Sequence, residues 1–334
     1  MAFGDKQNRY TQPFIKNSKV VFTLPLGQKI LEGKIVLHGN VVLSAVTNAG
    51  AVAGEGAPIN LIDRVIVHAN PAAGSRYAGG EIVNCTQRSL LRYAATQHCG
   101  KFIGEQAGST LGAGANGTYA IYLSIPIYFA DATLRAKDAS TALNTDAGTY
   151  ASVQVEVRTA DILACLTGFV GTVDYSQLMV DWIDDRVDLP GQDTNTVFME
   201  DHTLLIPATS KRALDPAMPN DGAFMAWLIL AQQGAAGTLA DTLLSRVKVE
   251  GNPIDFEKYA QDIRQKMLDD EWIDPSQSAA GMYFIDWTDG VLHNSLIAST
   301  LQTKLDYNNV SGANLDNLLI CTRRIFPPAP ASGK

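Results

Sequence analysis

The chain has 334 residues and a formal net charge of −8, with 46% hydrophobic and 18% charged residues. That length suffices for about two domains that each bury a core, and that balance excludes a largely disordered chain. Net acidity excludes a protein whose main task is to neutralise phosphates, so no specific nucleic-acid binding is expected.

Residues 1–18 carry Lys6, Arg9 and Lys16 against Asp5 and show no periodicity. They read as an extended N-terminal arm, either a frayed terminus or a strap to a neighbouring subunit or an anionic surface. The opening MAFGDKQNRYTQPF lacks a signal-peptide hydrophobic region, and no run of about 18 apolar residues occurs, so export by the usual route is not expected. From Lys19 the segments Val20–Leu24, Lys34–Ser44 and Leu61–His68, rich in β-branched residues, stand between Gly, Pro and Asn, which is a strand signature. Asn70-Pro71 closes the third with a turn.

The stretch Leu61–Ala78, LIDRVIVHANPAAGSRYA, occurs twice. From Leu243 the chain reads LLSRVKVEGNPIDFEKYA, matching without a gap at Leu61/Leu243, Arg64/Arg246, Val65/Val247, Val67/Val249, Asn70/Asn252, Pro71/Pro253, Tyr77/Tyr259 and Ala78/Ala260. Chance alone gives about one such match. The same offset places Phe22-Thr23-Leu24-Pro25 over Leu204-Leu205-Ile206-Pro207. The repeat is therefore a domain-sized duplication. Arg64, Asn70, Tyr77, Arg246, Asn252 and Tyr259 are the scaffold residues the copies share, and the two arginines are expected to tie a loop or a neighbour by charged hydrogen bonds.

A short helix is expected after each copy. In the second, Asp255 is the N-cap, and Phe256, Tyr259, Ala260, Ile263 and Met267 share one face. In the first, Ile82, Cys85, Ser89, Leu90 and Tyr93 form a weaker version. The first copy then has longer loops, Gly100–Thr118 and Ala132–Thr149, around strands Tyr119–Phe129 and Ser152–Arg158, and finishes with Tyr175–Val187. The second continues through Met282–Trp287, Leu296–Leu305 and Leu315–Phe326.

The expected organisation is an arm over 1–18, a first module over 19–187, a linker over 188–200, a second module over 201–326 and a flexible tail over 327–334. Each module offers about eight strand-like segments, one helix and no regular alternation of the two, which is the pattern of an antiparallel barrel. The fold class is all-β: two tandem eight-stranded jelly-roll β-barrels with short helices.

Cys85, Cys99, Cys165 and Cys321 are scattered without a CxxC pair, and read as buried free thiols of a reducing cytosol rather than a disulfide framework or a metal knuckle. His38, His68, His98, His202 and His293 include no His-x-His, which disfavours the metal centre of a tandem cupin; no cofactor is expected. Asp184-Asp185, Asp269-Asp270-Glu271 and Asp286/Asp289 are candidates for glycoside cleavage, which needs two carboxyls about 5–10 Å apart across a cleft. Such runs read instead as solvated faces, and no enzyme is expected. Gly112–Gly117 lacks the Lys-Ser/Thr of a phosphate loop. Asp269, Asp270 and Glu271 end the second helix, where the macrodipole disfavours anions, while the first helix carries Arg88 and Arg92. The acidic end of one module is therefore expected to meet a basic partner across a subunit contact.

The duplicated pair over 19–326, the strands ending Leu24-Pro25 and Ile206-Pro207, the Arg-Val-x-Val element in both copies, and Tyr122–Phe129 and Tyr283–Trp287 resemble the double jelly-roll major capsid proteins of tailless icosahedral viruses with an internal membrane, such as tectivirus and corticovirus phages. The resemblance implies a structural coat protein of the virion, made in the host cytoplasm. It implies homotrimers of pseudo-hexagonal outline, because three chains of two similar barrels present six nearly equivalent modules that tile a shell. Partners would be further copies of the chain, minor capsid or vertex proteins, and an internal membrane reached through Lys6, Arg9 and Lys16. The rivals are a jelly-roll protein that binds or processes carbohydrate, and a receptor-binding spike.

Overall fold

The structure, a computed structural model, describes residues 6–47, 52–53, 58–97, 116–130, 139–146, 148–167, 169–188, 193–206, 218–234, 237–251, 255–270, 272, 280–288, 296–297, 301–307 and 316–330. Its first half holds eight principal strands: β1 (Lys6–Pro13), β2 (Lys19–Leu24), β3 (Lys29–Thr47), β4 (Ile62–Pro71), β5 (Gly80–Thr86), β6 (Gly117–Tyr128), β7 (Tyr150–Thr159) and β8 (Val170–Val187). Their alternation drives the layering. In β2, Val20, Phe22 and Leu24 are buried and the residues between them exposed; in β7, Val153, Val155 and Val157 are buried.

Two four-stranded sheets result, in the orders β1-β8-β3-β6 and β2-β7-β4-β5. The wiring is that of a ribbon folded back on itself. Strands β1 to β4 run out and β5 to β8 return, so that β1 pairs β8, β2 pairs β7, β3 pairs β6 and β4 pairs β5. Rolling the ribbon sets β8 beside β3 and β7 beside β4, all antiparallel. This is a jelly roll, whose two sheets close over a shared core.

The second half repeats the scheme with β9 (Thr196–Leu205), β10 (Ala223–Gln233), β11 (Leu244–Glu250), β12 (Asp255–Tyr259), β13 (Met282–Asp286), β14 (Gln302–Tyr307) and β15 (Asn317–Phe326). The orders are β9-β15-β10-β13 and β14-β11-β12. Among the described residues no strand stands between β9 and β10. Among the described residues one α-helix lies in each roll: α1 (Gln87–Gln97) directly after β5 and α2 (Ala260–Asp269) directly after β12.

Several sequence expectations need correction. Lys6–Pro13 is no arm but the first strand of the first roll, paired along its whole length with β8 from Lys6↔Arg186 to Pro13↔Met179. Its composition hid it, because a strand's stability comes from cross-strand neighbours more than from intrinsic propensity. The linker is shorter than 188–200, since β9 begins at Thr196. Asp255 and Phe256 lie in β12, and α2 begins after Tyr259; Ile82 and Cys85 lie in β5, and α1 begins at Gln87. Short apolar runs fit helical and strand periods alike, and here the ladder decided. The tail is anchored at Ala329, whose N–H donates to the Arg76 carbonyl at 2.9 Å.

The duplication itself is structural at Arg64 and Arg246. Arg64 in β4 stands opposite Thr86, the last residue of β5, and Arg246 in β11 stands opposite Tyr259, the last residue of β12. Tyr259 is thus the counterpart of Thr86, and Tyr77, in the turn before β5, is not equivalent to it. The block at Phe22–Pro25 also fails. It lies on the second strand of its roll, whereas Leu204 and Leu205 end the first strand of theirs. Asn252, Glu271, His98, His293, Cys99, Asp289 and most of Gly100–Thr118 lie outside the described residues.

Candidate functional site

The place where the two rolls join is the most elaborate polar region of the molecule. β5 of the first roll runs parallel to β9 of the second, with Val83 opposite Met199 and Asn84 opposite Glu200. One continuous sheet therefore crosses from β2-β7-β4-β5 into β9-β15-β10. Phe224 to Ala231 of β10 are all buried, because α1 of the first roll packs against this strand.

Charged and aromatic groups fix the junction further. Arg323 of β15 is fully buried, donates to the Tyr93 hydroxyl and to the Phe129 carbonyl, each at 3.0 Å, and lies 5.6 Å from the Tyr93 ring. Tyr93 meets Phe284 edge to face at 5.7 Å. Arg76 grips both oxygens of Asp193 at 2.8 and 3.0 Å, and the Tyr77 hydroxyl donates to the same carboxylate. Those bonds hold Asp193 below the ordinary carboxylate range. Two rolls so joined form one rigid unit rather than beads on a linker.

Within the junction, the neighbouring strands β5, β9 and β15 bring Cys85, Asp201 and Cys321 together on one face. Their ligand atoms lie within 4.8 Å of one another, and the two Sγ atoms are 3.8 Å apart. Asp201 Oδ2 accepts from the Thr86 N–H at 2.7 Å. Burial pushes the Cys85 thiol well above its usual value and raises Asp201 despite that bond. No local pattern announces this cluster, since 236 positions separate the cysteines and the β5–β9 and β9–β15 pairings together unite them.

Several of the residues expected at subunit contacts have partners inside the chain. Arg9 donates its Nε to Asp181 at 2.7 Å, with His38 Nε2 3.0 Å from the same oxygen. Lys16 pairs with Asp161 at 2.9 Å. The backbone of Lys6 sits opposite Arg186. Arg88 donates to the Gly237 carbonyl at 2.7 Å, a contact between the rolls, and Arg92 lies on the same helix. Asp269 accepts from Gln265 and Asp270 pairs with Lys266, at 2.8 and 2.7 Å, each one turn back along α2. Lys266 offsets part of the macrodipole penalty at Asp270, whereas the partner of Asp269 is a neutral amide.

The scaffold residues serve their own rolls. Arg64 donates to the Asn84 side chain at 2.6 Å, Asn70 to Ser152 at 2.9 Å, and Arg246 to Asp306 at 2.6 Å and to Glu257. Tyr259 is exposed.

Two open clefts carry acidic side chains in their walls. One of about 510 Å³ is lined by Lys19, Asp63, Glu156, Arg158 and neighbours; the other, about 450 Å³, by Asp241, Tyr259, Arg264, Tyr283 and neighbours. Glu156 and Asp241 are already engaged. Glu156 pairs with Lys19 and Arg158, and Asp241 pairs with Arg264 and accepts from the Gly281 N–H. Of the acids singled out in the sequence, Asp184 is buried and held by Arg186, while Asp286 accepts from Thr288. His38, His68 and His202 stand on the separate strands β3, β4 and β9. No helix of the described residues is long and apolar enough to cross a membrane.

No family model and no curated protein matches the chain. Solved structures do. The STIV MCP superposes with a TM-score of 0.66 at 13% identity, covering 98% of this chain and 100% of that one. The PBCV-1 virus capsid gives 0.61 at 11% identity, covering 97% of this chain and 94% of the other. The major capsid protein of bacteriophage PM2 gives 0.56 at 10% identity, covering 98% and 100%. Such low identities speak to architecture, and with the two ribbons traced above they place the chain in the double jelly-roll fold shared with these viral capsid proteins.

Proposed function

We propose that the chain is the major coat subunit of an icosahedral virus and acts by self-assembly. The observation that carries this reading is the end-to-end correspondence. Capsid proteins superpose over 97–98% of the chain and 94–100% of their own length, a span that takes in both rolls. A single shared jelly roll would say little, because that fold also serves lectins and cupins. Two rolls locked into one sheet make a unit with two similar faces, and three such units give a six-lobed tile.

The finer reading is a homotrimer that tiles the shell and meets minor vertex proteins at its edges, after synthesis in the host cytoplasm. Contact with an internal membrane would run through Lys6, Arg9 and Lys16; Arg9 and Lys16 are paired with Asp181 and Asp161 but keep about half of each side chain exposed. Exposed large apolar side chains such as Ile15, Leu163 and Leu205 are the candidates for burial between subunits. Native mass spectrometry and electron microscopy of the purified chain test the proposal. A three-chain mass with a hexagonal outline is expected. A strict monomer at high concentration, without hexagonal particles, refutes it.

A further inference from the structure

We infer that Cys85, Asp201 and Cys321 form a structural site for a thiophilic divalent cation, zinc by preference, that clamps the two jelly rolls together. The inference is independent of the coat role, since it concerns the single chain.

The geometry comes first. Two thiolates bound to one zinc at about 2.3 Å with tetrahedral angles stand about 3.8 Å apart. The Sγ atoms of Cys85 and Cys321 are 3.8 Å apart, and the carboxylate lies within 4.8 Å of both. A disulfide does not explain the pair. β9 runs between β5 and β15, so the two Cα atoms are separated by two strand spacings, about 9.5 Å, against a limit of about 7 Å for a disulfide.

Asp201 supplies the second observation. Its Oδ1 is buried and has no hydrogen-bond partner among the described residues, while Oδ2 is oriented by the Thr86 N–H. A buried carboxylate oxygen without a donor is costly, and a cation beside it removes the cost. Thr86 is then the outer partner that aims the ligand, and a fourth, non-protein ligand such as water would complete the tetrahedron.

Charge also balances. Two thiolates and a carboxylate around a divalent ion leave one negative charge, and Arg64 and Arg323 are near enough to act electrostatically on Asp201 and Cys321. Soft sulfur ligands select zinc over calcium or magnesium. The ion would join β5 of the first roll to β9 and β15, the first and last strands of the second. Binding would then be coupled to folding of the whole unit, with two thiol protons released to solvent.

The test uses the full chain, stripped of metal under reducing conditions and titrated with cobalt, then with zinc. About one equivalent should bind. Cobalt should give the sulfur-to-metal charge-transfer band of a dithiolate, zinc should displace it, and the unfolding midpoint should rise by roughly 5 °C. Cys85→Ser and Cys321→Ser should each abolish the band, and Asp201→Asn should weaken binding about tenfold or more. A folded wild-type chain that develops no thiolate band and takes up less than about 0.1 equivalent of zinc overturns the inference. So does a band that survives Cys321→Ser. If the serine variants fail to fold, the wild-type titration still decides.

Discussion

Trp182 and Trp227 are both fully buried, one in β8 of the first roll and one in β10 of the second, and their surroundings differ in kind. Trp182 donates its ring N–H to Asp184 at 2.8 Å, and Asp184 is gripped on both oxygens by the Arg186 guanidinium at 2.8 and 2.9 Å, with Asn8 of β1 donating to it as well. Trp227 finds no acceptor among the described residues. It stands edge to face with Phe224 at 5.2 Å and Trp287 at 5.0 Å, and Trp287 in turn meets Phe256 at 4.9 Å. The surroundings of Trp182 are ordered by a buried ionic network and those of Trp227 by an aromatic cluster. Rings give large non-directional burial, whereas the network gives fewer permitted arrangements and severe penalties for partial satisfaction. The polar roll is also the one that must hold a first strand of sequence KQNRYTQP, which the acids of β8 engage through Asn8 and Arg9.

The largest effects should come from breaking either device. Trp227→Ala removes the hub of the aromatic cluster and leaves a cavity, at a cost of about 3–5 kcal/mol. Asp184→Ala should cost a similar amount, about 3–5 kcal/mol, for another reason: Arg186 is left buried without its carboxylate. Chemical denaturation separates the two. The double variant Asp184→Leu with Arg186→Met should recover most of the Asp184→Ala loss, because replacing a buried ion pair outright is often neutral, whereas no second substitution that merely removes charge should rescue Trp227→Ala. Failure of the double variant to recover would mean that the network, and not its lone survivor, stabilises the first roll.

How much of this was legible in the sequence depends on whether the signal was local. Arg64 and Arg246 could be aligned because each strand carries its own alternation, Val65 and Val67 in one copy and Val247 and Val249 in the other, all buried. The β-rich character of each module and its single α-helix among the described residues followed from such patterns. β1 escaped because its partners, Asp181 and Asp184, lie over 170 positions away, and nothing in a polar octet announces them. The helix starts were misplaced because Asp255–Tyr259 satisfies a period of 3.6 on paper while β11 supplies a ladder in the fold. Cys85 and Cys321 looked solitary for the same reason. A cluster built across three strands is a property of topology, and the topology became readable only once β5 was seen to lie beside β9.

A smaller change probes the packing behind Trp182 without touching its hydrogen bond. Gly33 of β3 lies under the indole, and a Cβ built there would sit 2.0 Å from Cη2 and 2.3 Å from Cζ2. Gly33→Ala therefore forces the ring or the strand to move, and about 1–3 kcal/mol of destabilisation is expected in thermal unfolding. An unchanged midpoint would show that the first roll can shift its network as freely as a loose core shifts its side chains.

The mildest test uses pH, and again falls on the first roll. Asp161 caps the turn Ile162–Ala164 through the Ile162 N–H at 2.7 Å, accepts from the Tyr175 hydroxyl at 2.7 Å and pairs with Lys16. Burial raises its pKa, but Tyr175, Lys16 and the backbone donor outweigh burial and hold the carboxyl below its usual value. A carboxyl depressed in the folded state stabilises the fold above its unfolded value, about 3.9, and that contribution is lost as pH falls through the folded value. Asp161→Asn should therefore lower stability at pH 7 by about 1 kcal/mol. The gap between variant and wild type should narrow as pH falls below about 4 and close once both carry a neutral side chain. A gap of constant size down to the acid limit would show that Asp161 acts through its shape and hydrogen bonds alone. The pairing of Lys16 would then be incidental, and Lys16 would again be free to serve a contact outside the chain.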